Sequence, residues 1–319
     1  MDDKEPSQGI GVCVVCLILA VVVCGAGCNG SGGHELPEDL MRQGAEALQT
    51  FSFEQGYDLF NAVIESSEKG SHQWQQATYS KGLCAWHMPA PTADKVAEAA
   101  SSFQLLVDEV PDSKLAPYAV LDLGRIREVR DYQGDQVDLE GARGYYRQVI
   151  DTWPDIEVAE EALLRLAGSY IQVFDEEESV REGVALLEER LRARPDNPLA
   201  SAMWSYLAGT YFYLLNDAAT ALECYLKADE LGLLDRAQAG ITWWKMAVLA
   251  EKIPGRRDIA VRYYRKIIID APNSGRGYDA QLELKRLRDA HPELQIEIPE
   301  LRRFRKISVP DETKAETSQ

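Results

Sequence analysis

One stretch, Gly141 to Tyr170 (GARGYYRQVIDTWPDIEVAEEALLRLAGSY), constrains the fold of this chain more than any other. Ala142, Tyr146 and Val149 stand three and four residues apart, which puts them on one apolar face of a helix, and Trp153-Pro154-Asp155 ends that helix in a turn. A second helix begins at once. Glu160 and Glu161 supply acids to its first turn, where they suit the helix dipole, and Leu163, Leu166, Ala167 and Tyr170 form another apolar face. Neither helix can bury its face alone, so the unit requires neighbours stacked on it.

The neighbours are copies of the same unit. The triplet of Ala142, Tyr146 and Val149 recurs as Gly56, Phe60, Val63; as Ala99, Phe103, Leu106; as Ala221, Tyr225, Ala228; and as Ala260, Tyr264, Ile267, with a degraded copy at Gly183, Leu187, Arg190. Eight residues past the central position a breaker recurs as Pro111, Pro154, Pro195 and Pro272, while Glu68 and Leu233 fill that slot in the other two copies. The central positions 60, 103, 146, 187, 225 and 264 are separated by 43, 43, 41, 38 and 39 residues. Past three of the prolines comes a Leu followed by a small residue, Leu123-Gly124, Leu166-Ala167 and Leu207-Ala208, where two helices can approach closely.

The fifth unit carries the fullest pattern, with Trp204, Leu207-Ala208 and Tyr211 on its first helix and Ala221 and Tyr225 on its second. This resembles the tetratricopeptide repeat, over about four fifths of the chain. The resemblance implies an all-α, right-handed solenoid of about six antiparallel helix pairs across residues 36–290, closed by a C-terminal capping helix that begins near Tyr278. The period is longer than the roughly 34 residues of that repeat, and the fourth unit departs from the triplet, so helical repeats with periods of roughly 40 to 47 residues stay open.

The family lines its concave groove with fixed positions of each first helix. Carried onto this sequence, that register makes Tyr170, Trp204, Tyr211 and, after a one-residue shift, Trp243 core residues. It assigns to the groove Tyr79 and Trp86 in the second unit, Tyr118, Arg125 and Glu128 in the third, Phe212 in the fifth and Trp244 in the sixth. Exposed aromatics beside an Arg suit a protein or peptide partner. The alternative is that long helices in a tightly wound array bury the same side chains.

The N-terminal 28 residues differ in kind. Gly9 to Gly27 is uncharged, and Ile10 to Val23 is almost wholly Val, Ile, Leu and Cys, the pattern of an export signal or a short membrane span. Gly25-Ala26-Gly27-Cys28 resembles the end of a bacterial lipoprotein signal, which implies acylation of Cys28 after cleavage, although Gly25 replaces the usual aliphatic residue and MDDKEPSQ carries three acids against one Lys. Asn29-Gly30-Ser31-Gly32-Gly33, within residues 29–35, follows as a flexible leash. An uncleaved anchor helix is the other reading of the same segment.

Chemistry is sparse in the remainder. Cys84 and Cys224 sit in the second and fifth units, too far apart in a stacked array for a disulfide, and read as packed thiols. His34, His72, His87 and His291 lack Cys or acid at ligand spacing, and Asp175-Glu176-Glu177-Glu178 lacks the alternating oxygens and central Gly of a calcium loop, so no metal and no cofactor is expected. No nucleophile with a base and no glycine-rich phosphate loop emerges, which points to a non-enzyme. A net charge of −18 argues against nucleic acid. Residues 291–319 lose the repeat: Leu294 to Ile298 reads as a short strand or extended arm, Arg302-Arg303-Phe304-Arg305-Lys306 is a basic patch, and the end is polar.

Three functions from different classes fit these features. They are a scaffold tethered to a bacterial membrane and facing the periplasm, at the inner or the outer membrane, which resembles the repeat lipoproteins of cell-envelope and outer-membrane assembly; a structural repeat protein associated with the cell wall; and an enzyme or a regulatory subunit of an envelope enzyme.

Overall fold

The triplets that define the repeat lie on helices, and the helices bury them. The computed structural model describes residues 36–173, 176–233 and 238–301. Among the described residues it contains thirteen α-helices: α1 Pro37–Gln49, α2 Phe53–Ser66, α3 His72–His87, α4 Ala93–Glu109, α5 Ala116–Glu128, α6 Leu139–Thr152, α7 Glu157–Ile171, α8 Glu177–Ala193, α9 Ala200–Tyr213, α10 Ala218–Glu230, α11 Ala239–Lys252, α12 Arg257–Asp270 and α13 Gly277–Ala290. A 3-10 turn, Pro292–Leu294, follows, and no strand is present among the described residues. The protein is all-α, with consecutive helices packed against each other as in a solenoid of helix pairs. The described residues divide into two compact units, the first ending at Ser169 and the second beginning at Tyr170.

In the first unit the pairs close through one repeated device. A glycine on the first helix faces the aromatic of the triplet on the second: Gly44 faces Phe60, Gly82 faces Phe103 and Gly124 faces Tyr146. A methyl group at these glycines would lie 2.7, 2.6 and 2.5 Å from the ring, closer than real side chains approach. The rings are fully buried, so the helix axes are set by the absence of a side chain on one partner and a flat ring on the other. In the second unit the same positions of the triplet are buried in Leu187, Tyr225 and Tyr264.

Where the pairs join, four turns share one pattern. The residue before the breaker proline caps the preceding helix: Val110 N–H bonds Leu106 O, Trp153 bonds Val149, Arg194 bonds Arg190 and Ala271 bonds Ile267. Proline disfavours helical geometry in the residue before it, so the helix stops there. Three residues on, Ser113, Ile156, Asn197 and Ser274 each return an N–H to the carbonyl of that capping residue. Four helices open on a side chain that caps them: Ser71, Thr92, Asp138 and Asp217 accept from the backbone N–H of Trp74, Lys95, Gly141 and Thr220.

After α13, of the two readings of Leu294 to Ile298, a short strand or an extended arm, the chain takes the second once past Leu294, which ends the 3-10 turn. Gln295 adopts a left-handed conformation (φ 46°) and the chain turns back as an extended arm with no strand to pair with among the described residues. The arm is anchored by buried Ile296 and by the Gln281 Nε2 donor to Pro299 O at 3.1 Å. The basic patch from Arg302, like Cys28 and its leash, lies outside the described residues. No helix of the described residues is long and apolar enough to cross a membrane.

Candidate functional site

In the first unit, five of the predicted groove residues are gathered by α3, α5 and the helices beside them. Tyr79 on α3 and Asp122 on α5 meet inside: the tyrosine hydroxyl donates to Asp122 Oδ2 at 2.7 Å. Arg125, one turn further along α5, donates from Nη1 to Asp122 Oδ1 at 2.8 Å. Asp122 is only 1% exposed, and burial pushes its carboxyl above the usual range although Arg125 and Tyr79 oppose the shift. The Arg125 guanidinium lies over the Trp86 ring at 5.0 Å, and the indole N–H of Trp86 donates to Asp131 Oδ1 at 3.0 Å. His87 stacks on the same indole at 5.0 Å, and burial, with Arg125 nearby, lowers its pKa.

This corrects two residues of the expected groove. Tyr79 (3% exposed) and Trp86 (7%) are core side chains and present no open ring. Their polar atoms are satisfied internally by Asp122 and Asp131, which is what permits burial. Tyr118, Arg125 and Glu128 are half-buried. Glu128 accepts from the Tyr146 hydroxyl at 2.6 Å and pairs with Arg165 at 3.3 Å, and Arg165 pairs with Glu161 at 2.9 Å. Burial, with Glu157 and Glu161 beside it, raises the phenol of Tyr118. The solvent side of this cluster is therefore one tyrosine, one arginine over an indole, and several carboxylates.

The second unit holds the other two. Phe212 is half-buried, edge-on to the exposed ring of Tyr213 at 4.8 Å. Trp244 is half-buried, edge-on to Tyr264 at 5.3 Å with the Arg276 guanidinium over it at 5.1 Å. Its neighbour Trp243 is buried, about 100° round the helix, as the register requires. Tyr170 is buried too, but Trp204 and Tyr211 are only half-buried, against expectation: Lys227 covers the Trp204 ring at 4.0 Å, and the Tyr211 hydroxyl donates to half-buried Glu188 at 2.6 Å.

A carboxylate that sequence reasoning missed organises this unit. Asp229, near the end of α10, accepts from Trp243 Nε1 at 2.7 Å, Tyr263 OH at 2.8 Å and Lys266 Nζ at 2.7 Å. Burial alone raises its pKa, but these three donors outweigh burial and the carboxyl ends below its ordinary value. An acid near the end of a helix, followed by Glu230, carries no signal of such a role, because its three donors lie 14 to 37 residues ahead.

Among the described residues no group of three His, Cys, Asp or Glu side chains is placed to hold a metal ion. Cys84 and Cys224 are free and buried, and burial pushes both thiols up to about 12. No protein-family model matches the chain, and no curated protein matches it.

Proposed function

We propose that this chain is a non-catalytic protein-binding scaffold of tetratricopeptide type, tethered to a bacterial membrane through Cys28 and facing the periplasm. The observation that carries the reading is the set Tyr118, Arg125 and Glu128, part-buried on one helix, with the Arg125 and Glu128 side chains 19% and 15% exposed over a hydrogen-bonded interior. Arg125 is already fixed by Asp122 and Trp86, so engaging it costs a partner little ordering entropy. The ring of Tyr118 beside carboxylates suits an extended peptide carrying an apolar anchor and a basic residue.

The test is site-specific. A photo-crosslinking residue at Tyr118 should trap one discrete partner in native membranes, and adding Arg125→Glu to that variant should abolish the adduct. The same adduct formed equally from exposed Gly144 would mean the cluster is not the binding surface. For the anchor, Cys28→Ser should abolish lipid labelling and release the processed form. Retention of the full-length Cys28→Ser chain in the membrane would favour an uncleaved anchor helix.

A further inference from the structure

The last helix, α13, buries Gly277, Ala280, Leu284 and Leu287 toward α12. The extended arm covers one flank, where Gln281 bonds Pro299 and Leu301 packs at Gly277. At 100° per residue, Leu282 stands opposite the buried face. Tyr278 and Lys285 lie on one flank of it, and Asp279 and Arg286 on the other. Tyr278 is 63% exposed and Leu282 43%, two large apolar side chains open to solvent one turn apart. Lys285 is exposed and makes no ion pair among the described residues.

This stripe is complementary to itself when reversed. Tyr278 and Lys285 lie four residues before and three after Leu282, and Asp279 and Arg286 three before and four after. Turning a second helix end for end about Leu282 therefore brings unlike groups on each flank level to within about one residue rise, roughly 1.5 Å. We propose that two copies of this chain associate antiparallel through α13, Leu282 against Leu282 on a twofold axis. Each Lys285 then lies over the partner's Tyr278, and each Asp279 meets the partner's Arg286. Arg286 holds Glu251 and Glu283 through Nη2 and Nε, which leaves Nη1 for the new contact. Such a contact is isologous, so it closes at two copies.

Charge favours a second copy over other occupants. The chain carries −18 overall, so most of its surface repels a copy of itself. On α13 Asp279 and Glu283 come first and Lys285, Arg286 and Arg288 follow, the last of these paired with Asp289, so the first half is net acidic and the second net basic, and antiparallel pairing also opposes the two helix dipoles. A uniformly acidic or basic partner would match only half of the stripe. The contact is one helix per subunit, small among specific interfaces, so it forms only at high concentration.

Sedimentation of the full-length chain in detergent, between about 5 and 500 μM, tests this. The protein mass should rise with concentration from 35.6 kDa toward twice that value, and less so in high salt. Leu282→Glu, which sets two carboxylates face to face on the axis, should leave a monomer. Tyr278→Lys opposes two lysines in each of two places, and Lys285→Glu removes both cations from the rings, so each alone should weaken association roughly tenfold. An equimolar mixture of these two variants should associate again. In the mixed pair the lysine introduced by Tyr278→Lys faces the glutamate introduced by Lys285→Glu, and the remaining Lys285 still lies over the remaining Tyr278. All the altered positions are exposed, and unchanged thermal unfolding would show that the variants fold. Monomer throughout the range, association untouched by Leu282→Glu, or a mixture no better than its components would each overturn the proposal.

Discussion

Replacing Gly124 by alanine isolates the device that closes the pairs of the first unit. A Cβ there lies 2.5 Å from Tyr146 Cε1, 2.9 Å from Cδ1 and 3.2 Å from the Tyr145 Cβ. The Tyr146 ring is fully buried and its hydroxyl is held by Glu128, so it cannot swing aside. Alanine in a helix interior is favoured over glycine by about 1 kcal/mol, whereas forcing an extra methyl into a packed core costs about 1–3 kcal/mol. Gly144 on α6 supplies the control, since it is exposed with nothing within 4 Å of its Cβ and receives the propensity gain alone. The difference between Gly124→Ala and Gly144→Ala cancels propensity and leaves packing, about 1–3 kcal/mol. Urea unfolding followed by circular dichroism reads it as a shift in midpoint at constant slope. In a Tyr146→Leu background, where the ring edge is gone, Gly124→Ala should cost less than in the native chain. If Gly124→Ala stabilises as much as Gly144→Ala, close approach at the glycine is not what sets the pair, and the reasoning fails.

Three further outcomes are expected. Trp243→Ala should cost about 3–5 kcal/mol, through the cavity and the loss of a donor to Asp229, and Trp204→Ala and Trp244→Ala distinctly less because both rings are half-exposed; equal melting temperatures for all three would refute the burial order. Asp229 and Asp122 should titrate in opposite senses. The depressed carboxyl of Asp229 stabilises above its unfolded pKa of about 3.9 and loses that contribution as pH falls through the folded value, whereas the raised carboxyl of Asp122 gains relative stability as pH falls, so the stability gap to Asp229→Asn should shrink in acid and the gap to Asp122→Asn should move in favour of the native chain. Cys84 and Cys224, with thiols raised to about 12, should resist alkylation at about pH 8 until the chain unfolds, as read by peptide mass; fast native labelling of either would contradict its burial.

The second helices were legible because their apolar positions are periodic and local: each triplet is three residues on one face, and nearly all of those residues are buried. Leu123-Gly124 also showed itself as a close-approach site, but Gly44 and Gly82 did not, since neither follows a leucine at a fixed distance from a proline. The first helices misled for a different reason. The register of the resembled repeat put Tyr79 and Trp86 in the groove, and what lets them be buried is an acid 43 or 45 residues away that meets the hydroxyl or indole N–H. Trp204 erred the other way, a large apolar side chain whose cover is the flexible Lys227 instead of a packed helix. Period reports which face is apolar; it does not report which polar atom on that face has found a partner.

The four proline turns between pairs repeat the same cap and return bond, while the loops inside pairs differ: three residues join α1 to α2, and ten join α5 to α6. Added length therefore falls on the two kinds of connection with unequal effect. In a turn it would break a cap and a return bond and shift how one pair meets the next, whereas in a loop it costs mainly closure entropy, which grows only slowly with length. That inequality marks the loops inside the pairs, Val129 to Asp138 above all, as the places where this chain tolerates insertion of a new segment at least cost to the proline turns.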